Sequence, residues 1–416
     1  MRKILLIQHH NFLNGSGGTE KICCFLANNF CKNNFEVEIA TNQEIEGKAI
    51  FYLKKSVKVI NIFDEKIIQK KTLNVFNYKG KNLFLWIFYK VKKKYVKLYN
   101  KFLLKEHNGL EGVYKFNLEQ RAKSWKRFIN ESKPDVIITM SIGSLLEITY
   151  KNNYDIPIIN SVHGRPDYDF TDLLWYRSKI EMELLLESYK KLSAIQVLFE
   201  SYKEFLPETF NGVAVHIPNP VLQIDEYEVV NHVSGKDNYI IINIASLNTS
   251  CKQQHVAISI FSKIADKNPD WNMVFWGVGN DLDMLQKQVK ELKLEDRILF
   301  KGFTNEPLEQ LKKSDIFIFP SKYEGFPLAL SEAMSVGLPC IGFLSCSGVN
   351  QLIKNKENGF LARDDNEMQF YLQELINNSK LRKNIGRSAY RSIEQYSEAN
   401  VFNKWLDLIS QYQKRI

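Results

Sequence analysis

The chain has 416 residues, of which 44% are apolar, and a formal net charge of +9. This length exceeds what one hydrophobic core usually organises, so we expect two domains of roughly 150 to 220 residues. No uninterrupted apolar run approaches the roughly 20 residues that span a bilayer, which predicts a soluble or peripheral protein. The six cysteines show no CxxC spacing, which argues against a zinc site or a disulfide framework and favours a reducing cytoplasm.

The first 45 residues predict a strand, a loop, a helix and a second strand. These are "KILLIQ", "NFLNGSGGTEK", "KICCFLANNFCKNN" and "FEVEIAT". Apolar runs without strict alternation are typical of parallel strands covered on both faces. Gly17 and Gly18 lie in the loop after the first strand, where missing side chains let the backbone approach a ligand, although a plain turn would use the same residues.

The positive charge is concentrated between Lys66 and Lys105, where there are 12 lysines and no Asp or Glu. Within this segment, "NLFLWIFYKVKKKYVKLYNKFLLK" interleaves aromatic residues with lysines. That composition suits an anionic membrane surface, where each nearby lysine contributes about 1 kcal/mol. A solvated helix of the domain is the second interpretation. A nucleic-acid-binding surface is the third, because the aromatics are bulky rather than a dispersed stacking set.

Three further apolar runs, "KPDVIITMS", "IPIINSVHG" and "AIQVLF", extend the pattern and predict a Rossmann-like N-terminal domain over residues 1–221. His163 and Arg165 follow the second of these runs, at the end of a predicted strand. A histidine there can bind a sugar hydroxyl or lie at a reaction centre, or it can simply satisfy a loop carbonyl.

A polar, proline-containing stretch over residues 222–240 predicts a linker. Strands and helices then alternate from "YIIINIASL" to "PCIGFL", which predicts a second parallel sheet in a domain over 241–395. Residues 396–416 predict an amphipathic helix, for which packing on the N-terminal domain is one option. The expected fold class is α/β, with two Rossmann-like domains facing each other across a cleft at the carboxyl ends of both sheets.

Two carboxylates, Glu324 and Glu332, stand eight residues apart in "SKYEGFPLALSEAMSVGLP". The Gly-Phe-Pro break places Glu324 in the turn after a strand and Glu332 in the following helix. The backbone N–H groups of Phe326 and Leu328 open that helix at its positive end, which can hold phosphate. The pair can bracket an anionic, hydroxyl-rich ligand, or the acids can serve helix-end electrostatics alone. Lys252, in "ASLNTSCKQQH", can likewise reach a phosphate or be a solvated loop lysine.

Two weaker patterns favour structural interpretations. "WGVGND" places Gly277 and Gly279 after a strand, but Leu282 occupies the third glycine position of a dinucleotide motif, so no NAD site is expected. Asp281 and Asp283 are interpreted as acids at a helix start rather than as metal ligands.

The segment "SKYEGFPLALSEAMSVGLPCI", with its two glutamates, resembles the retaining glycosyltransferases of family 4, also called group 1, which have the GT-B fold. "GSGGTEK", "HIPNPV", "ASLNTSCKQQH", "VFWGVGND", "ILFKGF" and "ENGFLA" occur in that family's order. The resemblance is strongest over residues 239–365 and weaker before them.

The resemblance implies roles for matched positions. Glu324 would hold the donor sugar's hydroxyls, Glu332 the ribose, and Lys252 the diphosphate. The loop of Gly17 and Gly18 would approach the phosphates, and catalytic roles would fall to Glu324, Lys252 and His163, the last near the reaction centre. The remaining implied positions are Arg165 on the acceptor side, the base site over Ile298–Phe303, and the donor contacts Ser246, Gly302, Phe303, Phe326, Pro327 and Leu328.

Two positions depart from the family pattern. Ser246 stands where the family usually has an arginine, so Lys252 and the helix dipole must do more to neutralise a leaving diphosphate. Gln351 stands where many members have Glu.

The expected reaction moves a hexose or N-acetylhexosamine from a nucleotide diphosphate sugar, with UDP favoured, to a lipid-linked or cell-envelope glycan. Such glycans include polysaccharide, capsule, O-antigen and lipooligosaccharide. The leaving diphosphate would accept the acceptor's proton, so no metal or other cofactor is required. The expected location is the inner face of the cell membrane, and no nucleic-acid partner is expected.

Three alternatives stay open at this point. One is a sugar-nucleotide epimerase of the same fold. Another is a non-catalytic, membrane-docked partner of another transferase, which Ser246 keeps in consideration. The third is a nucleic-acid-binding protein that uses the lysine-rich segment.

Overall fold

The computed structural model describes residues 2–174 and 176–412. Their first half contains β1 (Lys3–Ile7), α1 (Gly18–Lys32), β2 (Glu36–Thr41), β3 (Lys58–Asn61), α2 (Leu83–Glu106), α3 (Leu110–Ser132), β4 (Val136–Thr139), α4 (Ile142–Thr149), β5 (Ile158–Ser161), α5 (Lys179–Tyr189), β6 (Ala194–Val197) and β7 (Val213–His216). The second half contains β8 (Tyr239–Ile244), α6 (Gln254–Ser262), β9 (Trp271–Trp276), α7 (Leu282–Glu291), β10 (Ile298–Phe300), α8 (Pro307–Lys312), β11 (Ile316–Phe319), α9 (Leu328–Ser335), β12 (Cys340–Phe343), α10 (Val349–Leu352), β13 (Phe360–Ala362), α11 (Asp365–Asn377), α12 (Ser379–Ile393) and α13 (Glu398–Gln411).

The first sheet has seven strands in the order β3-β2-β1-β4-β5-β6-β7. From β3 to β6 the neighbouring strands pair in parallel. Residues Ile4–Ile7 of β1 are fully buried because helices cover both faces of a parallel sheet. The order reverses between β1 and β4, and ligands of open α/β sheets bind at such switch points.

The second sheet has six strands in the order β10-β9-β8-β11-β12-β13, and every neighbouring pair is parallel. Its order reverses between β8 and β11. The prediction of a second, doubly wound parallel sheet is therefore confirmed. The reversal also fixes where a ligand of this sheet is expected, outside the carboxyl ends of β8 and β11.

The described residues form two compact units. The first comprises 2–162, 166–174, 176–196 and 205–215, and the second comprises 163–165, 197–204 and 216–412. Helix α13 belongs to the second unit, where Val401, Trp405, Leu408 and Ile409 bury the apolar stripe that the sequence predicts. Residues 413–416 of the predicted helix lie outside the described part. The functional domain boundaries at 221 and 241 stay predictions, as does packing of the C-terminal helix on the N-terminal domain.

Helix α2 forms most of the lysine-rich segment and is largely exposed. Only Val96 and Leu103 of its residues are buried. Its large exposed apolar residues include Phe84, Trp86, Phe88, Val91, Tyr95, Leu98 and Phe102. Across the described helices, this one included, none combines the length and apolarity needed to cross a bilayer.

Candidate functional site

Lys252 and Glu324 form an ion pair at the switch point of the second sheet. The Lys252 Nζ atom lies 2.6 Å from Glu324 Oε1. The two residues are 72 positions apart, but their loops follow β8 and β11, which pair in parallel and so end at the same edge. The side chains are 20% and 11% exposed, respectively, which leaves the pair accessible from one side.

The ion pair determines the charge of Lys252. Burial by itself would lower the pKa of this lysine, but the neighbouring Glu324 carboxylate outweighs burial and raises the pKa above its ordinary value. Lys252 is therefore a fixed positive charge at neutral pH. Its Nζ atom also lies 5.8 Å from the centre of the Phe319 ring, at the end of β11.

The loop that carries Lys252 is held by Asp281. One oxygen of its carboxylate accepts hydrogen bonds from the Thr249 backbone N–H and hydroxyl, both at 2.7 Å. These bonds lower the pKa of Asp281. As predicted, Asp281 and Asp283 lie at the start of α7, the first as its N-cap residue and the second in its first turn, but the Asp281 side chain makes no cap hydrogen bond. The N–H of Lys322 donates to the Cys251 carbonyl at 2.8 Å and ties the loop to the segment before Glu324.

The turn that carries Glu324 is fixed by contacts from two other segments. The Ser347 hydroxyl donates to the Glu324 carbonyl at 2.9 Å, and the Tyr202 hydroxyl donates to the Gly325 carbonyl at 3.2 Å. Phe326 is buried, and its ring stacks on Phe199 with centres 5.5 Å apart. The Glu324 carboxylate is thus presented by a turn with little freedom to move.

We expect Gly325→Ala to disturb this turn. A methyl group at position 325 would overlap the carbonyl oxygen of His163. Relieving the overlap should cost about 1–3 kcal/mol in the free energy of unfolding and should displace Glu324. Urea denaturation measures the first effect and nucleotide-sugar binding the second. An unchanged unfolding midpoint together with unchanged binding would show that the turn is not constrained as described.

Helix α9 begins directly after this turn. Pro327 is its N-cap residue and makes no side-chain cap hydrogen bond. The N–H groups of its first turn, including that of Leu328, therefore stay available to an anion. Glu332 is half-buried on the same helix and has interaction partners. The Gly-Phe-Pro break thus separates the two acids, one in a turn and one in a helix.

The other predicted donor positions lie in the same unit. The Ser246 carbonyl accepts from Gln254 Nε2 at 2.8 Å, and the Gly302 carbonyl accepts from the Gly277 N–H at 2.7 Å. Gly302 has a φ of +72°, a conformation that favours glycine, and Phe303 is exposed. The Ser201 hydroxyl donates to Gln351 Oε1 at 3.0 Å.

Gly277 and Gly279 have a structural role. A Cβ at either position would overlap the backbone of residues 245–247, in the loop after β8. The two glycines therefore let the loops after β8 and β9 approach closely. This contact explains the pattern without a dinucleotide.

His163 and Arg165 are half-buried in a loop that packs with the second unit. The His163 carbonyl lies against Gly325, which places the histidine backbone beside the Glu324 turn. Gly17 and Gly18 are exposed in the first unit, where Gly17 is the N-cap residue of α1 without a side-chain cap bond. Glu20, in the first turn of α1, is buried.

A polar cavity of about 540 Å³ lies at the switch point of the first sheet, and no sequence motif predicts it. Its lining includes Gln8, His9, Glu20, Arg121, Glu147 and Arg177. Burial, followed by the neighbouring His10 and arginines, lowers the pKa of His9 well below its ordinary value, so His9 is neutral. The side chains come from α1, α3, α4, α5 and adjoining loops, which no short motif connects.

Comparison with known proteins agrees with the two sheets and with the glutamate-containing segment. Residues 226–392 match the family model described as glycosyl transferases group 1. The chain is 31% identical over 220 residues to a glycosyltransferase of Haemophilus influenzae, covering 52% of this chain and 60% of that protein. It is 24% identical over 419 residues to the poly(ribitol-phosphate) alpha-N-acetylglucosaminyltransferase of Staphylococcus aureus, covering 91% of this chain and 80% of that protein.

Among solved structures, the chain is similar to a mutant of S. aureus TarM in complex with fondaparinux, alpha-GlcNAc-glycerol and UDP. The TM-score is 0.71 with 17% sequence identity, and the match covers 100% of both chains. At this identity the likeness concerns the fold, which is the predicted GT-B class. Residues 226–392, which include the second sheet, therefore match the group 1 glycosyltransferases, and the fold of the whole chain is of the GT-B class.

Proposed function

We propose that the protein is a retaining glycosyltransferase that moves a hexose or N-acetylhexosamine from a UDP-sugar to a lipid-linked or cell-envelope glycan. The observation that carries the proposal is the Lys252–Glu324 ion pair beside the uncapped start of α9. These groups place a cation, N–H donors and a carboxylate at the same edge of the second sheet. A sugar joined to a diphosphate needs each of these groups.

In this proposal the bound donor breaks the Lys252–Glu324 ion pair, and Lys252 pairs with the diphosphate instead. The diphosphate takes Lys252 and the first-turn N–H groups of α9, and the freed Glu324 carboxylate accepts hydrogen bonds from the sugar hydroxyls. Glu332 holds the ribose, and Ile298–Phe303 contact the base. Ser246 brings no charge, so Lys252 and the dipole of α9 neutralise the leaving diphosphate. The other donor contacts are Gly17, Gly18, Gly302, Phe303, Phe326, Pro327 and Leu328.

The proposed step needs no protein nucleophile. The bond from the sugar C1 to the diphosphate oxygen breaks, and the acceptor oxygen bonds to C1 on the same face. The acceptor's proton passes to the departing phosphate oxygen. His163 lies near the reaction centre in this proposal, and Arg165 lies on the acceptor side. Lys252 lowers the barrier by stabilising the charge that develops on the leaving group.

The choice of donor and acceptor rests on what is said of similar proteins. UDP is bound in the TarM structure, and the S. aureus relative is named for transfer to poly(ribitol phosphate). The first points to a UDP-sugar, and the second points to an acceptor of the cell envelope.

A panel of nucleotide-sugars tests the proposal. At a free ligand concentration of 100 times Kd, binding should stabilise the folded state by about 2.7 kcal/mol. The melting temperature should rise accordingly. We expect UDP-sugars to stabilise the protein and to release UDP only slowly without an acceptor. Conversion of a UDP-sugar to its isomer would indicate an epimerase instead. Binding of no nucleotide-sugar would favour the non-catalytic partner.

We further propose that helix α2 attaches the protein to the inner face of the cell membrane. Support comes from its exposed apolar residues and from the 12 lysines between Lys66 and Lys105. Asn82 caps the helix, accepting from the Leu85 N–H at 3.2 Å, so the apolar first turns are ordered. Aromatic residues would enter the headgroup boundary while lysines meet anionic lipids.

Vesicle sedimentation tests this attachment. The double variant Phe84→Ser and Phe88→Ser should lose most binding to vesicles of phosphatidylglycerol and phosphatidylcholine, because it removes two aromatics that are 85% and 59% exposed. Phe370→Ser is the matched control, since Phe370 is also 59% exposed but lies on α11. Equal sedimentation of both variants would contradict the attachment through α2.

A further inference from the structure

Tyr202 contacts the turn that carries Glu324 from a segment far away in the chain. It lies in a short 3-10 helix, Glu200–Phe205, and is 1% exposed. Its hydroxyl donates to the Gly325 carbonyl at 3.2 Å, across 123 positions. Residues 197–204 belong to the second unit, although the residues on both sides of them belong to the first. The fold thus places this segment beside the turn, and no short motif connects the two.

Aromatic packing fixes the direction of the Tyr202 hydroxyl. The Phe199 ring meets the Tyr202 ring edge to face, with centres 5.1 Å apart and planes at 78°. Phe199 also stacks on Phe326, the residue that follows Gly325. Both geometries are favoured between aromatic rings, and all three aromatic residues are buried. The position of the hydroxyl relative to Gly325 is therefore set by the fold.

The hydrogen bond from Tyr202 orients a whole peptide unit. The Gly325 carbonyl and the Phe326 N–H belong to one planar trans peptide, in which the two groups point in opposite directions. Gly325 lacks a Cβ that would restrict its own ψ, and Phe326 is biased toward extended conformations because Pro327 follows it. Rotation at Gly325 is therefore the main freedom of this unit, and the bond to the carbonyl opposes it.

The direction of this peptide decides what an anion meets at the start of α9. An N–H that faces the anion attracts it, whereas a carbonyl oxygen turned toward it repels it. The Gly348 backbone also lies close to the Gly325 oxygen, since a Cβ at position 348 would approach that oxygen to 2.5 Å. Without the Tyr202 hydroxyl the carbonyl loses a donor, so turning its oxygen toward the anion becomes less costly.

We infer that Tyr202 is a positioning residue for the transfer reaction, and that it holds the peptide between Gly325 and Phe326 so that the Phe326 N–H faces the diphosphate of the donor. The identity of the ligand rests on the proposed function, whereas the restraint on the peptide rests on the contacts of Tyr202. Because Tyr202 is buried, it acts through the backbone of the turn and does not touch the donor.

Selective isotope labelling tests the restraint without any ligand. When glycine carries ¹³C at its carbonyl and phenylalanine carries ¹⁵N, a signal arises only from Gly-Phe peptides, of which the sequence has four. Tyr202→Phe keeps the ring and removes the hydroxyl, so the Gly325–Phe326 signal should shift. That signal is identified by its absence from Phe326→Tyr. The other signals come from the same unit and show that the variant is folded. An unshifted Gly325–Phe326 signal would overturn the inference.

Ligand binding by Tyr202→Phe tests the consequence for the donor. The variant should bind UDP about tenfold more weakly, because one N–H donor to the diphosphate is misdirected. Uridine, which has no phosphate, should bind both proteins equally. A purely structural role of Tyr202 would weaken the binding of UDP and uridine alike, and that result would overturn the inference, as would unchanged UDP binding.

Tyr154→Phe is the matched control. The Tyr154 hydroxyl also donates to a backbone carbonyl, that of Ile148 at 3.0 Å, but in the first unit. Its loss should leave UDP binding and all the Gly-Phe signals unchanged. Failure of UDP to bind the unaltered protein would contradict the proposed function, and the labelled signal would still decide whether Tyr202 holds the peptide.

Discussion

Replacing Lys252 with Ala should reduce kcat/KM for transfer by about 100- to 1,000-fold. The lysine is the cation of the proposed diphosphate site, and Ser246 offers no second charge nearby. Its removal also leaves the Glu324 carboxylate, which is 11% exposed, without its ion-pair partner. UDP should then bind far more weakly, since an uncompensated carboxylate would face the phosphates. Steady-state kinetics and UDP-induced thermal stabilisation measure the two effects.

Lys287→Ala is the control for this variant. Lys287 is also paired with a glutamate, Glu291 at 3.8 Å, but both side chains are mostly exposed on α7. Pairs of that kind contribute little to stability, so the control should keep full activity and an unchanged melting temperature. Lys252→Arg should restore UDP binding in part, because the charge returns with a different geometry. Lys252→Ala with normal transfer would remove Lys252 from the mechanism.

Glu324→Gln should lower kcat/KM by about 100-fold while leaving much of the affinity for UDP itself. Glutamine preserves the shape of the side chain but loses the charge that strengthens hydrogen bonds to sugar hydroxyls. The Lys252 ammonium, no longer neutralised, still meets the diphosphate. The loss should therefore depend on the sugar, and comparing UDP with the UDP-sugar measures it.

Glu291→Gln is the control for Glu324→Gln. Glu291→Gln alters an exposed glutamate of the same unit and should leave transfer unchanged. A Glu324→Gln protein that loses UDP and UDP-sugar affinity equally would indicate that Glu324 supports the fold of the site rather than the sugar.

The sequence predicts the interior strands because their residues are apolar throughout. Runs such as Ile4–Ile7 and Ile316–Phe319 are buried on both faces and could be recognised without any tertiary information. Strand β3 was not predicted, since its four residues include Lys58 and Asn61 and it lies at the edge of the sheet. Edge strands need not be apolar on both faces, so composition alone does not reveal them.

Helix α3 is not among the elements predicted above, although the sequence carries a signal for it. Leu118, Ala122, Trp125 and Ile129 are buried and recur at spacings of four, three and four. That spacing forms one face of a helix.

The two candidate sites differ in how far sequence could locate them. Lys252 and Glu324 each follow a strand of one sheet, so parallel topology brings them together across 72 positions. The cavity of the first unit depends on pairs such as Arg121 with Glu147, on different helices and 26 positions apart. Nothing local marks such a pair, because its spacing reflects how α3 packs against α4.

A crystal structure of the protein with an unhydrolysed UDP-sugar tests the central claim most directly. The account predicts a diphosphate oxygen about 3 Å from Lys252 Nζ and from first-turn N–H groups of α9, with Glu324 accepting hydrogen bonds from the sugar hydroxyls. The direct bond from Lys252 to Glu324 should be lengthened or lost. A nucleotide bound elsewhere, with Lys252 and Glu324 still paired at 2.6 Å, would contradict it.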